Sequence, residues 1–373
     1  MRPAVTGRGR RRTRTDRRRL TALRMAAQRI GASEFTTPGD AVRWMLALQG
    51  QDFAGARWSV GLRYVDATED GVVAALDAGE VVRSWPMRGT LHLVAAEDLG
   101  WMLRLTAPRM MVSAARRRAS LGITDADIER ARTAAGVALT GRRVLTHDAL
   151  LATIDAAGVS TGGQRGYHLI WSLAQTGTLV LGPTDGRQQT FALLDDWVPN
   201  PRVLERDEAL GELALRYFRG HGPATDRDLA RWSGLTLGDV RRGLAICGGR
   251  LTTAEFGGST YHVAPETLAL ATPAVRVHML PGFDEYLLGY GDRTAALAPE
   301  HADAIVPGGN GMFRPTIVVD GEVVGTWGRR VKAGEIVIEP APFGRLSGRD
   351  RNALGVAVRA YGAFIGLPAA VHP

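Results

Sequence analysis

The stretch "EVVRSWPMRGTLHLV", Glu80 to Val94, decides the fold. It is rich in β-branched and aromatic residues and is interrupted by Pro86, a pattern that predicts two strands joined near that proline. Side chains alternate along a strand, so Arg88, Thr90 and His92 are expected on one face of the second strand, with Leu91 and Leu93 on the other. Apolar spacing upstream predicts three helices. They run from Leu20 to about Ile30, from Pro38 to about Gln49, and from a cap at Thr68 through Val72, Val73 and Leu76. Three helices followed by a hairpin is the winged-helix order.

The pattern recurs twice. "LTHDALLATIDAAG" predicts a helix capped by Thr146, and "GQRGYHLIWSLAQTG" a second with Leu169, Ile170 and Leu173 inward. "TLVLGPTDGRQQTFALL" then reads as a hairpin turning at Asp185-Gly186. Around residues 208–263 a helix ends near Gly220, and Thr225 with Asp228 and Thr236 with Asp239 stand at capping-box spacing. "RLTTAEFGGSTYHV" supplies a third hairpin. Val240, Leu244 and Cys247 fall at i, i+4 and i+7, which makes the single cysteine a buried core thiol rather than a nucleophile. After about residue 265 strands and turns dominate. "FRPTIVVDGEVVGTWGRRV" is a hairpin about Asp320-Gly321, "VKAGEIVIEP" adds a strand pair, and "RDRNALGVAVRAYGAFIG" closes the chain as an amphipathic helix. The expected α+β chain divides into a disordered Arg-rich tail (1–19), three winged-helix units (20–135, 136–204 and 205–264) and a β-rich C-terminal region with a terminal helix (265–373).

Composition narrows the function. A chain of 373 residues with 45% hydrophobic content can bury real cores. One cysteine excludes an intrachain disulfide and a multi-cysteine zinc site, and the histidines show no metal-ligand spacing. No apolar run approaches the roughly 20 residues of a membrane span, and the Arg-rich start lacks the apolar core of a secretory signal. The expected location is cytoplasmic, on the nucleoid when DNA-bound. The formal charge of +8 sits entirely in residues 1–19, with nine arginines and one acid; the remaining 37 basic and 37 acidic side chains balance. That tail reads equally as a salt-sensitive phosphate-binding arm or as a translated upstream segment. Walker, HExxH, dinucleotide and GxSxG signatures do not occur, which weakens the common small-molecule enzyme classes, and no cofactor is expected.

The stretch that carries chemistry is "MLALQGQDF", Met45 to Phe53. Ala41, Trp44, Met45 and Leu48 form an apolar helical stripe, and a continuing helix turns residues two apart about 200° from each other. Gln49 and Gln51 therefore act on one object only if Gly50 ends the helix, as glycine does in a left-handed cap.

"LALQGQD", "VVRSWPMRGTLHLV", "LPGFDEYLLGYGDR" and "FRPTIVVDGEVVGTW" resemble the winged-helix DNA-binding proteins that include the AlkZ and YcaQ types of DNA glycosylase. The resemblance runs from Leu20 to the C-terminus in order and spacing. It implies three tandem winged-helix units in a C-shaped single chain with a β-rich C-terminal part. It also implies catalysis by a Gln-x-Gln motif, matched here by Gln49 and Gln51. Gly50 stands where the AlkZ type has an aliphatic residue, which leaves both amides in place and loosens the joint between them.

A glutamine amide does not titrate near neutrality, so it orients a water rather than deprotonating it. That suffices when the leaving group departs readily, as a purine alkylated at N7 does because it carries a positive charge. The expected substrate is double-stranded, damaged DNA bearing alkylated cationic purines, cross-links included, and the expected activity is hydrolysis of the N-glycosidic bond by a monomer. Asp52 is the nearest acid and a supporting candidate. Lys332 is the only lysine, which disfavours the Schiff-base route of bifunctional glycosylases. Candidate DNA contacts are Arg88, Thr90 and His92 on the first hairpin, Arg165 with His168 and Arg241 with Arg242 on candidate recognition helices, and Arg293 in "FDEYLLGYGDR". For that last stretch, a structural turn with buried tyrosines and an internal Asp–Arg pair is the competing reading. The alternative function is a non-catalytic winged-helix DNA-binding protein or transcriptional regulator, although the dimer helix usual in regulators is not evident.

Overall fold

The computed structural model describes residues 7–185, 188–270 and 275–372. The chain groups into two compact units, residues 1–72 with 211–373 and residues 73–210. The boundary at 72/73 falls inside the first of the winged-helix segments expected from the sequence.

The first unit opens with α1 (Gly7–Ala27). From Gly7 onward this corrects the disorder expected of the tail. Arginine is a good helix former and no proline follows Pro3 until Pro38, so the helix runs through the basic stretch. Arg17 ties it down, donating to the Ala295 carbonyl at 3.3 Å and pairing with Glu322 at 3.5 Å. Residues 1–6 lie outside the described residues. Next come α2 (Pro38–Met45), β1 (Ala47–Gln49) and α3 (Phe53–Gly61). The expected second helix thus stops four residues early, and α3 is an element the sequence reading did not contain.

Thr68 opens α4 (Glu69–Asp77) as expected, its hydroxyl oxygen accepting the Gly71 N–H at 3.1 Å. The second unit then contributes β2 (Val81–Met87) and β3 (Thr90–Ala95), an antiparallel pair. Their turn lies at Arg88 and Gly89, both at positive φ (52° and 71°), as a two-residue type I′ turn requires. This corrects the join expected near Pro86. The proline instead occupies an irregularity in the ladder between Ser84 and Met87, where a missing N–H costs nothing. Beyond lie α5 (Ala96–Ser120), α6 (Asp125–Leu139), β4 (Leu145–Thr146), α7 (His147–Ala156), α8 (Arg165–Gln175), β5 (Leu179–Asp185), β6 (Gln188–Leu193) and α9 (Leu194–Trp197). Thr146 caps α7 by accepting the Ala149 N–H. Strands β3, β2, β5, β6 and β4 are neighbours in that order. Leu150, Ile154, Leu169, Ile170 and Leu173 fill the core with Trp85 and Trp171. The turn expected at Asp185-Gly186 includes Gly186, which lies outside the described residues.

The chain returns to the first unit through α10 (Arg206–His221), α11 (Asp226–Ser233) and α12 (Leu237–Cys247). Complete capping boxes open the last two, Thr225 with Asp228 and Thr236 with Asp239. Cys247 is buried, and burial pushes its thiol above the ordinary value. After the hairpin β7 (Thr252–Phe256) and β8 (Ser259–Val263) come α13 (Pro265–Leu268), β9 (Val277–Leu280), α14 (Glu285–Leu288), α15 (Ala302–Ile305), β10 (Thr316–Val319), β11 (Glu322–Lys332), β12 (Glu335–Pro342), α16 (Gly348–Ile365) and β13 (Ala369–Val371). Strands β9 to β13 form one sheet in chain order, antiparallel except for the β12–β13 pair. Asp320 and Gly321 take positive φ (49° and 82°) in the β10–β11 turn, as their Asp-Gly sequence predicts. The chain as a whole is a mixed α+β protein.

Candidate active site

The Gln-x-Gln stretch lies between α2 and α3. α2 ends at Leu46, whose φ of 67° and ψ of −50° are unfavourable for leucine and are held by its complete burial. This corrects the expectation that Gly50 ends the helix as a left-handed cap. β1 then carries Ala47, Leu48 and Gln49 in extended form. Residues two apart diverge on a helix, and the early exit at Leu46 takes Gln49 and Gln51 off α2, so that helical divergence does not apply to the two amides. Gln49 is buried (8% exposed), whereas Gln51 and Asp52 are exposed.

Beneath Gln49 sits Glu285, a fully buried carboxylate at the start of α14. Its Oε1 accepts the Gln49 main-chain N–H at 3.1 Å, and its Oε2 accepts Trp232 Nε1–H at 2.8 Å. His221 Nε2 lies 3.5 Å from the same Oε2. The preceding residue is equally tied. Asp284 forms a two-pronged pair with buried Arg63, both contacts 2.9 Å, and accepts the Ser59 hydroxyl at 2.6 Å. Burial pushes the Asp284 carboxyl up, but the Arg63 guanidinium, Ser59 and the Tyr286 N–H outweigh it and hold the group below the usual carboxylate range. Arg63 also donates to Gln28 Oε1 at 2.9 Å, and Gln28 Nε2 donates to the Glu285 carbonyl at 3.3 Å and to the Tyr290 hydroxyl at 3.0 Å. A buried charge survives only when paired and hydrogen-bonded, and here two adjacent carboxylates each have several donors.

Asp52 stands at the N-terminal end of α3 without making a capping bond. With Pro281, Gly282, Trp327, Arg329 and Tyr361 it lines a cavity of about 70 Å³. At about 30 Å³ per water molecule, that is room for about two.

The candidate DNA contacts are scattered. Arg88 is in the β2–β3 turn rather than on the strand, and His92 is fully buried rather than on a solvated face. His92 Nδ1–H donates to the Thr90 carbonyl at 2.8 Å, which leaves Nε2 to face the Arg88 guanidinium at 3.4 Å. Thr90 is half-buried. Arg165 and His168 lie on α8; Arg165 donates to the Ser160 and Leu121 carbonyls at 2.7 and 2.6 Å. Arg241 and Arg242 are exposed on α12, with Arg241 paired to Asp226 at 3.1 Å. Arg293 is half-buried, donates to the Leu287 carbonyl at 2.7 Å and packs over Phe313; burial lowers its pKa to about 10. Tyr286 and Tyr290 are buried, as the structural reading of their stretch expects, but the Asp–Arg pair it expects within the stretch is instead Asp284 with distant Arg63.

Glu285 is the residue that the sequence reading missed. The available signal was an adjacent Asp–Glu pair flanked by large apolar side chains, which a fold can bury only by bringing donors to it.

The AlkZ-like family, described as DNA glycosylase AlkZ-like, matches residues 42–364. An interstrand DNA cross-link repair glycosylase from Streptomyces sahachiroi is 30% identical over 343 residues, covering 87% of this chain and 90% of that protein. The solved structure of Streptomyces sahachiroi DNA glycosylase AlkZ is similar at a TM-score of 0.79 and 27% identity, over 95% of this chain and 99% of that one.

Proposed function

The chain belongs to the AlkZ-like DNA glycosylase family, and on that premise we propose that it hydrolyses the N-glycosidic bond of alkylated, cationic purines in duplex DNA. Gln49 and Gln51 hold the attacking water, and no covalent intermediate forms. The observation that supports this most is the exit from α2 at Leu46, after which Gln49 is anchored by Glu285 and Gln51 emerges at the surface beside Asp52.

The base leaves with the bonding electron pair, which neutralises its ring charge, so departure needs no general acid. The sugar passes through an oxocarbenium-like state that the amide dipoles stabilise, while the bound water attacks C1′. Asp52, beside a cavity sized for water, takes up the released proton. Lys332, at the exposed end of β11, is not needed on this route. The relative's name, interstrand DNA cross-link repair glycosylase, extends the substrate class to a purine tethered to the opposite strand, where release from one sugar unhooks the two strands. The groups α7–α8–β5–β6 and α11–α12–β7–β8 serve in this reading as winged helices that hold the duplex.

The test is a duplex carrying N7-methylguanine, scored for abasic sites with the wild-type protein and with Gln51→Ala. Gln51 is exposed, so the variant should fold normally and lose excision. Tight duplex binding with no base release from any alkylated substrate would overturn the assignment in favour of a non-catalytic DNA-binding protein.

A further inference from the structure

Residues 99–124 contain five arginines and no acidic residue, in a chain whose charge balances overall after residue 19. Four of the five lie on the second half of α5, beyond Pro108. At about 100° per residue, Arg109, Ser113, Arg116 and Ser120 fall on one narrow stripe, and all four are exposed. Val112, beside them, is 77% exposed. Arg109 and Arg116 have no hydrogen-bond or ion-pair partner among the described residues. Ser113 and Ser120 turn their hydroxyls onto the Met110 and Arg117 carbonyls at 2.9 and 2.8 Å, which keeps the surface between the arginines low. Arg118, by contrast, is turned inward onto the Met111 carbonyl at 2.9 Å.

Three of the candidate DNA contacts gather on this same helix from different parts of the second unit. The Arg88–Gly89 turn packs on it so closely that a side chain at Gly89 would meet the Met110 methyl at 3.1 Å. Arg165 donates to the Leu121 carbonyl at the helix end, and burial together with the charges of Arg117 and Arg118 holds the His168 imidazole below its ordinary pKa. Past the helix end, Asp127 accepts from Thr124 and Arg130 and lies 3.7 Å from Arg165.

We propose that the exposed stripe of α5 through Arg109 and Arg116 is the surface by which the second unit grips the phosphate backbone of duplex DNA. The inference rests on DNA being the substrate and is independent of the glutamine pair. Seven residues at 1.5 Å separate the two guanidinium groups by about 10 Å along the axis, about three base-pair steps at 3.4 Å each. A guanidinium suits a phosphate because its N–H groups fork onto two oxygens. The contacts carry no base information, so they serve affinity and register rather than lesion choice.

The test measures binding of undamaged duplex DNA over a range of salt, so it does not depend on whether any base is released. Each phosphate contact contributes about 0.9 to the slope of log affinity against log salt, so Arg109→Ala with Arg116→Ala should flatten that slope by about 2 and weaken binding at every salt concentration. Arg109→Lys with Arg116→Lys keeps the charge and should retain most of the slope. An unchanged slope in the alanine pair overturns the proposal. So does a lysine pair that loses as much slope as the alanine pair, because the effect then comes from packing rather than charge.

Discussion

Glu285, fully buried, accepts the main-chain N–H of Gln49 at 3.1 Å while its other oxygen accepts Trp232 Nε1–H at 2.8 Å. Both carboxylate oxygens therefore face donors. Glu285→Gln can satisfy one donor and must turn an NH2 group toward the other. A buried donor left facing a donor costs about 1–3 kcal/mol, and urea unfolding at neutral pH should show a loss of that size. If the glutamines hold the water, the excision rate of the folded variant should also fall, since a misplacement of about 1 Å at a reacting centre costs on the order of 10²-fold. A variant as stable and as active as wild type would mean that Glu285 neither supports the fold nor places Gln49.

The adjacent pair gives a larger effect. Asp284→Ala strands the Arg63 guanidinium with no exposure to water, which should cost about 3–5 kcal/mol in the same measurement. The pair also predicts the sign of acid sensitivity. Asp284 has a folded pKa below its ordinary 3.8, so its contribution is fully present above that value and is lost as pH falls from there through the lower folded pKa. Unfolding midpoints measured from pH 5 downward should fall in the wild type and fall less in Asp284→Asn.

The local elements were legible in the sequence wherever a few residues decide them. Thr68, Thr146, Thr225 and Thr236 cap the helices their spacing predicts, and Asp320-Gly321 makes the turn its dipeptide predicts. The errors arose where tertiary burial overrides local preference. Nothing local makes Leu46 take a positive φ in preference to Gly50; its buried side chain does. The join of the first hairpin moved from Pro86 to Arg88-Gly89 because a bulge absorbs the proline. At the site, Gln49, Gln51 and Asp52 are adjacent in the chain and could be found by inspection. Glu285 is 236 residues from Gln49, and no period or spacing connects them.

His278 gives a second pH dependence with a different window. It is 3% exposed, Nε2–H donates to the Val275 carbonyl at 3.1 Å, and burial lowers its pKa from 6.5 to about 4. The unfolded chain binds a proton there between those values while the folded protein does not. Stability from this group is therefore present above about pH 6.5 and declines as pH falls toward 4, by about 3 kcal/mol in all. His278→Gln, which cannot charge, should flatten the unfolding midpoint between pH 6.5 and 4. A slope equal to that of wild type would assign the dependence to other groups.

Gly55 tests the place given to Asp52. A methyl group at Gly55 would lie 2.6 Å from Asp52 Oδ2 and 3.2 Å from the Pro281 Cβ. The carboxylate is the movable party, because Asp52 is exposed and makes no capping bond. Gly55→Ala should therefore displace the Asp52 side chain from its cavity at little cost. The gain of about 1 kcal/mol from alanine over glycine in a helix should leave the melting temperature unchanged or slightly raised. If Asp52 takes up the proton released by the attacking water, excision of N7-methylguanine should fall in Gly55→Ala and in Asp52→Asn alike. Wild-type excision in both variants would remove Asp52 from the chemistry and leave the two glutamines to act alone. Full activity in Gly55→Ala with loss in Asp52→Asn would show instead that the carboxylate acts from a position other than the one it occupies over Gly55.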